Sequence, residues 1–322
     1  IWSETMSSKI TDVARMAGVS IATVSNVINE TRPVRPETQQ RVMAAIEALQ
    51  YIPDSTARHF KAGRRSSIGF IVPDIRNAFF STLINSIEEV LECSGYDLVI
   101  ANTHESIERE TERLLRLCSG TVDALIIASC FEYYTELISH IPANFPFVLI
   151  DRLPVNSQCD TIRADSYAAI LESIDYLVAH GHKKIGMLAW QESLSTTRER
   201  VAAYRHAAAK YGFEELIRYV DIDSEVSYAA EYLIAESCTA LLIGNSKLYI
   251  DLMGFLNTVE DRPAVVCFCD SPEYKHLFRG LPMIKQPTQE IGRLAGRMIL
   301  DRLQFPDSRI KEAILHCVFQ RP

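Results

Sequence analysis

From about residue 67 to the C-terminus, short apolar runs alternate with stretches whose apolar positions recur at helical spacing. This alternation predicts β-α-β units around parallel sheets, an α/β architecture. The predicted strands are SIGFIVPD, YDLVIANT, DALIIASC, FPFVLID, KKIGMLAW, TALLIGN and PAVVCFCD, with a further strand, ILHCVF, near the end. Helices are predicted between them at 79–93, 107–118, 167–180, 196–211, 228–237 and 247–259. In the third of these, Ile170, Leu171, Ile174 and Leu177 share one stripe. Four strands precede about residue 155 and at least three follow, so two similar lobes with a cleft between them are expected. Ligands of open α/β sheets bind beyond the carboxyl ends of the strands. Residues 73–80, Asp151, residues 190–200, Asn245, Cys269 and Asp270 fall there.

The first fifty residues follow another pattern. Ile10, Val13, Ala14 and Ala17 predict one helix, Gly18-Val19 turns the chain, and Ser20 is placed to N-cap a second helix at 21–29. There Val24, Val27 and Ile28 face inward, which leaves Ile21, Ala22, Ser25, Asn26 and Asn29 outward. A third helix starts at Pro36 and runs to 49, with Val42, Ala45, Ile46 and Leu49 inward. Its N-cap position is Arg35, which cannot accept from a backbone N–H and is suited to a phosphate contact. Three short helices can be a packing module with no ligand. Against that, the second helix exposes small and polar side chains at its N-terminal end, as a helix lying in a major groove does. The following tract, ARHFKAGRR, sets Arg58, Lys61, Arg64 and Arg65 around Phe60, a basic strip with an apolar wedge of the kind that enters minor-groove base steps.

Charge sharpens this division. The formal net charge of −8 separates into nine Lys/Arg against six Asp/Glu in residues 1–65, a net of +3, and twenty-four against thirty-five beyond, a net of −11. Only the head is electrostatically suited to nucleic acid. The eight cysteines form no C-x-x-C pair and sit mostly in apolar runs, so neither a zinc ribbon nor a disulfide framework is expected. No stretch has the roughly 18 apolar residues of a membrane helix, and IWSETMSS lacks the apolar run of a secretory signal. A cytoplasmic chain starting at Met6 is expected. G-x-G-x-x-G, G-x-x-x-x-G-K-[ST], H-E-x-x-H and G-x-S-x-G are all missing. His180 and His182 flank a helix end with no third ligand near in sequence, so a C-cap and turn are expected there rather than a metal.

The segments DVARMAGVSIATVSNVIN at 12–29, PETQQRVMAAIEALQYIP at 36–53 and AR-x-F at 57–60 resemble the lactose-repressor (LacI/GalR) family of bacterial transcription regulators. The likeness continues through NAFF at 77–80, Asp151-Arg152, Asp165, L-x-x-x-GH at 177–182, Arg200-x-x-x-Tyr204, Gly244-Asn245 and IKQPTQEIGRLA at 284–295. It implies a helix-turn-helix head over 6–53, a hinge helix and linker over 54–66, and a two-lobed, periplasmic-binding-protein-like body over 67–322 for effector binding and dimerisation. In the head it places Ile21, Ala22 and Asn26 at base-reading positions and Thr23, Ser25, Asn29 and Thr38 at phosphate-contacting ones. It gives Phe60 the wedge position of the hinge, with Ala57 beside it. Most of the family has Leu at the wedge and Arg at the Asn26 position. Asn pairs with adenine N6/N7, whereas Arg favours guanine, so a different operator base is expected.

In the body the resemblance maps the effector cleft onto Asn77, Phe79, Phe80, Asp151, Arg200, Ile222, Asn245, Cys269 and Asp270. Cys269 stands where many members carry an Asp that binds effector hydroxyls, and Ile222 where an aromatic is often found. Cys269 is read first as a core thiol. The pocket then lacks a carboxylate acceptor, while Arg200 is equally suited to a phosphate or carboxylate. The implied protein is a homodimeric regulator, usually a repressor, that binds pseudo-palindromic double-stranded operator DNA. It is controlled by a small molecule, a sugar or sugar derivative, and needs no cofactor, metal, membrane or catalysis. A corepressor-dependent or protein-activated global regulator is the alternative within the family. A ligand-binding or enzymatic module is the alternative outside it, with Asp151, Asp165 and Asp270 the strand-end carboxylates to test.

Overall fold

The computed structural model describes residues 9–29, 32–51, 65–221, 225–269 and 279–322. The chain divides into two compact units, Ile1–Arg65 and Ser66–Pro322.

In the first unit, α1 (Ile10–Ala17), α2 (Ile21–Asn29) and α3 (Pro36–Ala48) enclose Val13, Val24 and Val42, all fully buried. Ile10, Ile28, Ile46 and Leu49 close the rim of this small core, on the faces that the periodicity predicts. Gly18 ends α1 at φ +65°, a left-handed conformation that costs a residue with a Cβ about 1 kcal/mol or more. Ser20 then starts α2, its Oγ accepting the Thr23 N–H at 3.1 Å.

The second unit consists of two six-stranded sheets. The first has the order β11-β5-β4-β3-β1-β2, from β1 (Ser67–Val72), β2 (Asp97–Asn102), β3 (Ala124–Ile127), β4 (Phe147–Ile150), β5 (Asp160–Asp165) and β11 (Glu312–His316). The second has the order β12-β10-β9-β8-β6-β7, from β6 (Ile185–Ala189), β7 (Leu216–Tyr219), β8 (Ala240–Ile243), β9 (Ala264–Cys269), β10 (Met283–Lys285) and β12 (Val318–Gln320). The strand pairings are parallel except β10 with β12. Helices cover both faces, and β3 and β8 are accordingly buried along their whole length. The covering helices are α4 (Ala78–Glu92), α5 (Ile107–Cys118), α6 (Tyr134–Ile138), α7 (Tyr167–Ala179), α8 (Ser195–Tyr211), α9 (Val226–Ala235), α10 (Ser246–Leu256) and α11 (Thr288–Gln304).

The lobes interleave. After β5 the chain passes to α7, which packs in the second lobe, and after β10 it returns to α11, which packs along α4 in the first. The expected single strand ILHCVF is instead two strands: Glu312–His316 joins the first sheet, Cys317 makes the crossing, and Val318–Gln320 joins the second. Three connections therefore link the lobes, a layout that permits hinged closure over a ligand. The pairing of α11 with α4 is unusually close, since a Cβ at Gly292 would lie 2.7 Å from Ser86 Cβ and 3.0 Å from the Leu83 carbonyl oxygen. Among the described residues no helix is long and apolar enough to cross a membrane.

Candidate functional site

In the head, the first turn of α2 presents its side chains outward: Ile21 is 49% exposed, Ala22 is exposed, and Thr23, Ser25 and Asn26 are half-buried. Thr23 Oγ1 shares a 2.9 Å hydrogen bond with Ser20 Oγ, so the cap fixes the rotamer at that end. Arg35 is the N-cap of α3, exposed and without a side-chain cap bond, and the Thr38 N–H donates to its carbonyl at 2.9 Å. Asn29 closes α2. The side chain of Asn29 and the hinge segment with Ala57, Arg58 and Phe60 lie outside the described residues.

In the body, the strand ends of both lobes face one cleft with two chambers that share Asn77, Arg152, Trp190 and Asn245 in their linings. The inner chamber, about 40 Å³, is lined from the first lobe by Asn77, Phe79, Phe80 and Asp151, and from the second by Arg200, Asn245 and Trp190. Asn77 caps α4 by accepting the Phe79 N–H at 3.1 Å, which turns the two phenyl rings inward with centroids 5.2 Å apart and planes at 78°. Asp151 is 8% exposed and sits at φ +60°, a conformation that non-glycine residues adopt at a cost and that clusters at ligand sites. Arg200 lies over the Phe268 ring at 4.1 Å and donates to the Gly244 carbonyl and, at 3.2 Å, to Gln286 Oε1. Its Nε is buried without a hydrogen-bond partner among the described residues. Asn245 caps α10, accepting the Leu248 N–H at 2.8 Å.

The outer chamber is a cavity of about 500 Å³ and is much more charged. Its floor is the Arg152–Glu105 pair, in which Arg152 also lies 5.6 Å over the Phe80 ring. Arg76 binds Asp74 in a fork at 2.9 to 3.2 Å. Burial works to raise the Asp74 carboxyl pKa, but the Arg76 bonds and the charge of Lys247, from the opposite lobe, hold it below the ordinary value.

Of the residues expected in the cleft, Asn77, Phe79, Phe80, Asp151, Arg200 and Asn245 come together. Cys269 is 7% exposed and belongs to the hydrophobic cluster with Leu248 and Val265, while Ile222 and Asp270 lie outside the described residues. His180 and His182 are engaged separately, His180 Nδ1 with the Tyr176 carbonyl at 2.8 Å and His182 Nδ1 with Thr239 Oγ1 at 3.0 Å. Sequence reasoning missed His104, Glu105, Ser106, Arg109, Arg152, Lys247 and Gln286 as lining residues. Each flanks a strand end, but nothing in their spacing marks them.

Comparison with known proteins agrees with this architecture. Residues 9–54 match the family described as bacterial regulatory proteins, lacI family, and residues 65–238 match the periplasmic binding proteins and sugar binding domain of LacI family. Residues 174–321 match a periplasmic binding protein-like domain. The HTH-type transcriptional repressor PurR of Photobacterium profundum is 29% identical over 307 residues, covering 92% of each chain. That of Vibrio parahaemolyticus is 31% identical over the same length and coverage. The crystal structure of the lac repressor dimer bound to operator and the anti-inducer ONPF superposes with a TM-score of 0.82 over 97% of both chains, at 22% identity, which is a likeness of fold. With one family profile spanning more than half of its length and a relative 31% identical over 92% of both chains, the chain belongs to the LacI family of bacterial regulatory proteins.

Proposed function

We propose that this protein is a ligand-controlled transcriptional repressor: the head reads operator DNA, and a small molecule held between the lobes of the body sets its affinity. The observation that carries this reading is the pairing, in one chain, of a helix-turn-helix with outward small and polar side chains and a two-lobed body with a lined interlobe cavity. The division of labour follows the ranges 6–53 for DNA reading, 54–66 for hinge and linker, and 67–322 for effector binding and dimerisation.

On DNA, Ile21, Ala22 and Asn26 meet base edges in the major groove, Thr23, Ser25, Asn29, Arg35 and Thr38 meet phosphates, and Ala57, Arg58 and Phe60 engage the minor groove. A head of net charge +3 binds weakly alone, so two copies are needed to engage the two half-sites of a pseudo-palindrome. In the body, Asn77, Phe79, Phe80, Asp151, Arg200 and Asn245 contact the effector, and Ile222, Cys269 and Asp270 are the further effector-contact candidates. The effector acts through its unequal affinity for two lobe orientations, and that orientation governs whether paired hinges assemble on DNA. The relatives named above are repressors, and this chain acts in the same way, in the cytoplasm and without catalysis. A gel shift on DNA flanking its own gene, with and without candidate sugars, checks the proposal. Specific retardation altered by one ligand is expected, and failure to retard any flanking fragment contradicts it.

A further inference from the structure

The outer chamber of the cleft has a chemistry of its own. It lies in a body of net charge −11, yet four basic side chains line it, Arg76, Arg109, Arg152 and Lys247, against two carboxylates, Asp74 and Glu105. Three N-cap residues, Asn77 of α4, Ser106 of α5 and Asn245 of α10, line the same space, so three helix N-termini from both lobes bring their partial positive charge to it. Arg152 is already paired with Glu105, and Lys247 reaches Asp251 on its own helix while lying 5.8 Å from the centre of the Trp190 ring. The Arg109 guanidinium, by contrast, has no hydrogen bond or ion pair among the described residues. In the adjoining chamber the buried Arg200 Nε also lacks a partner among the described residues. The loop that brings His104 and Glu105 to the cavity holds both at positive φ, +53° and +60°, a strained backbone kept in place by the Arg152 pair.

Resting on the reading of this cleft as the effector site, we infer that the effector carries a phosphoryl group. The class is a phosphate monoester of a small polyhydroxylated molecule, with the phosphate in the outer chamber between Arg109 and Lys247. With Arg76, Arg152 and Lys247 each already paired to a carboxylate, Arg109 is the surplus cation, and an anion there meets donors from both lobes, so it draws Arg109 of the first lobe and Lys247 of the second together. The cavity of about 500 Å³ accommodates a molecule of that size, with Trp190 as an apolar wall and Asn77 and Asn245 within reach of hydroxyls.

The test measures thermal unfolding of the full chain with inorganic phosphate, glucose, glucose 6-phosphate and gluconate, each against sodium chloride at equal ionic strength. Inorganic phosphate and the phosphate ester are expected to raise the Tm beyond chloride. Arg109→Gln and Lys247→Gln are each expected to weaken the apparent phosphate affinity about tenfold. Arg205→Gln, which removes a cation paired with Glu215 on the surface, is expected to leave it unchanged. No shift beyond chloride, or a shift equally strong in the Arg109 and Lys247 variants, overturns the inference. A shift from glucose alone, or an equal one from gluconate, overturns the phosphoryl assignment while the effector cleft stands. Loss of operator binding in a gel shift strikes the regulator reading alone.

Discussion

Arg152 and Glu105 form a two-pronged ion pair, with side chains 7% and 9% exposed, that joins the segment following β4 to the loop between β2 and α5. Both residues line the outer chamber, Arg152 lines the inner one as well, and its guanidinium lies over the Phe80 ring. Removing one partner strands a buried charge, so Arg152→Met is expected to cost about 3–5 kcal/mol. Adding Glu105→Gln to it is expected to recover a large part of that loss. Urea denaturation of the two variants and the wild type checks this, and a double variant no more stable than Arg152→Met contradicts it.

The contact of α11 with α4 sets a second expectation. Gly292 has no room for a methyl group against Ser86 and the Leu83 carbonyl, so Gly292→Ala is expected to destabilise by about 1–3 kcal/mol despite the better helix propensity of Ala. Gly254, on α10, has open space around its Cα, and Gly254→Ala is expected to be neutral or stabilising. The two denaturation midpoints, compared directly, decide the matter.

Glu110 lies fully buried on α5, accepting from Ser129 Oγ at 2.7 Å and from the Cys130 N–H at 2.6 Å. Burial pushes its carboxyl above the ordinary 4.5, against those hydrogen bonds. Above 4.5 the native state then holds a proton that the unfolded chain has released, so the contribution of this group to stability is complete below that pH and shrinks as the pH rises through the raised value. Thermal melts from acid to neutral pH are expected to show the wild type losing stability relative to Glu110→Gln across that interval. Parallel curves count against it.

Asn26 is expected to set one base of each half-site. Asn26→Arg should shift the preference there from adenine to guanine by about 1–3 kcal/mol and leave the other positions in place. Competition binding with single-base operator variants measures the change, and an unaltered preference removes Asn26 from the base-reading set.

Much of this molecule is legible in its sequence because its elements bury themselves in periodic ways. Val13, Val24 and Val42 recur at helical spacing and form the head core, and the runs around Ile126 and Leu242 are apolar throughout because helices cover both faces of those strands. The helix α11 escaped because Gly292 and Gly296 look like breakers, whereas they permit the close approach to α4. The short strands β5, β7 and β10 carry mixed or few apolar residues. The division at Cys317 depends on which sheet each half joins, a tertiary fact with no local signal. In the cleft, the aromatic and N-cap positions were readable from strand ends, but Arg109, Arg152 and Lys247 look like ordinary surface charges until the fold points them at one cavity.

Selection of duplexes from a random pool by the full-length protein tests the central claim most directly. Enrichment of a pseudo-palindrome with two equivalent half-sites, weakened by rising salt and lost on Ile21→Asp in the exposed first turn of α2, is the predicted result. A pool that yields no enriched sequence, or one bound equally well by the Ile21→Asp protein, contradicts it.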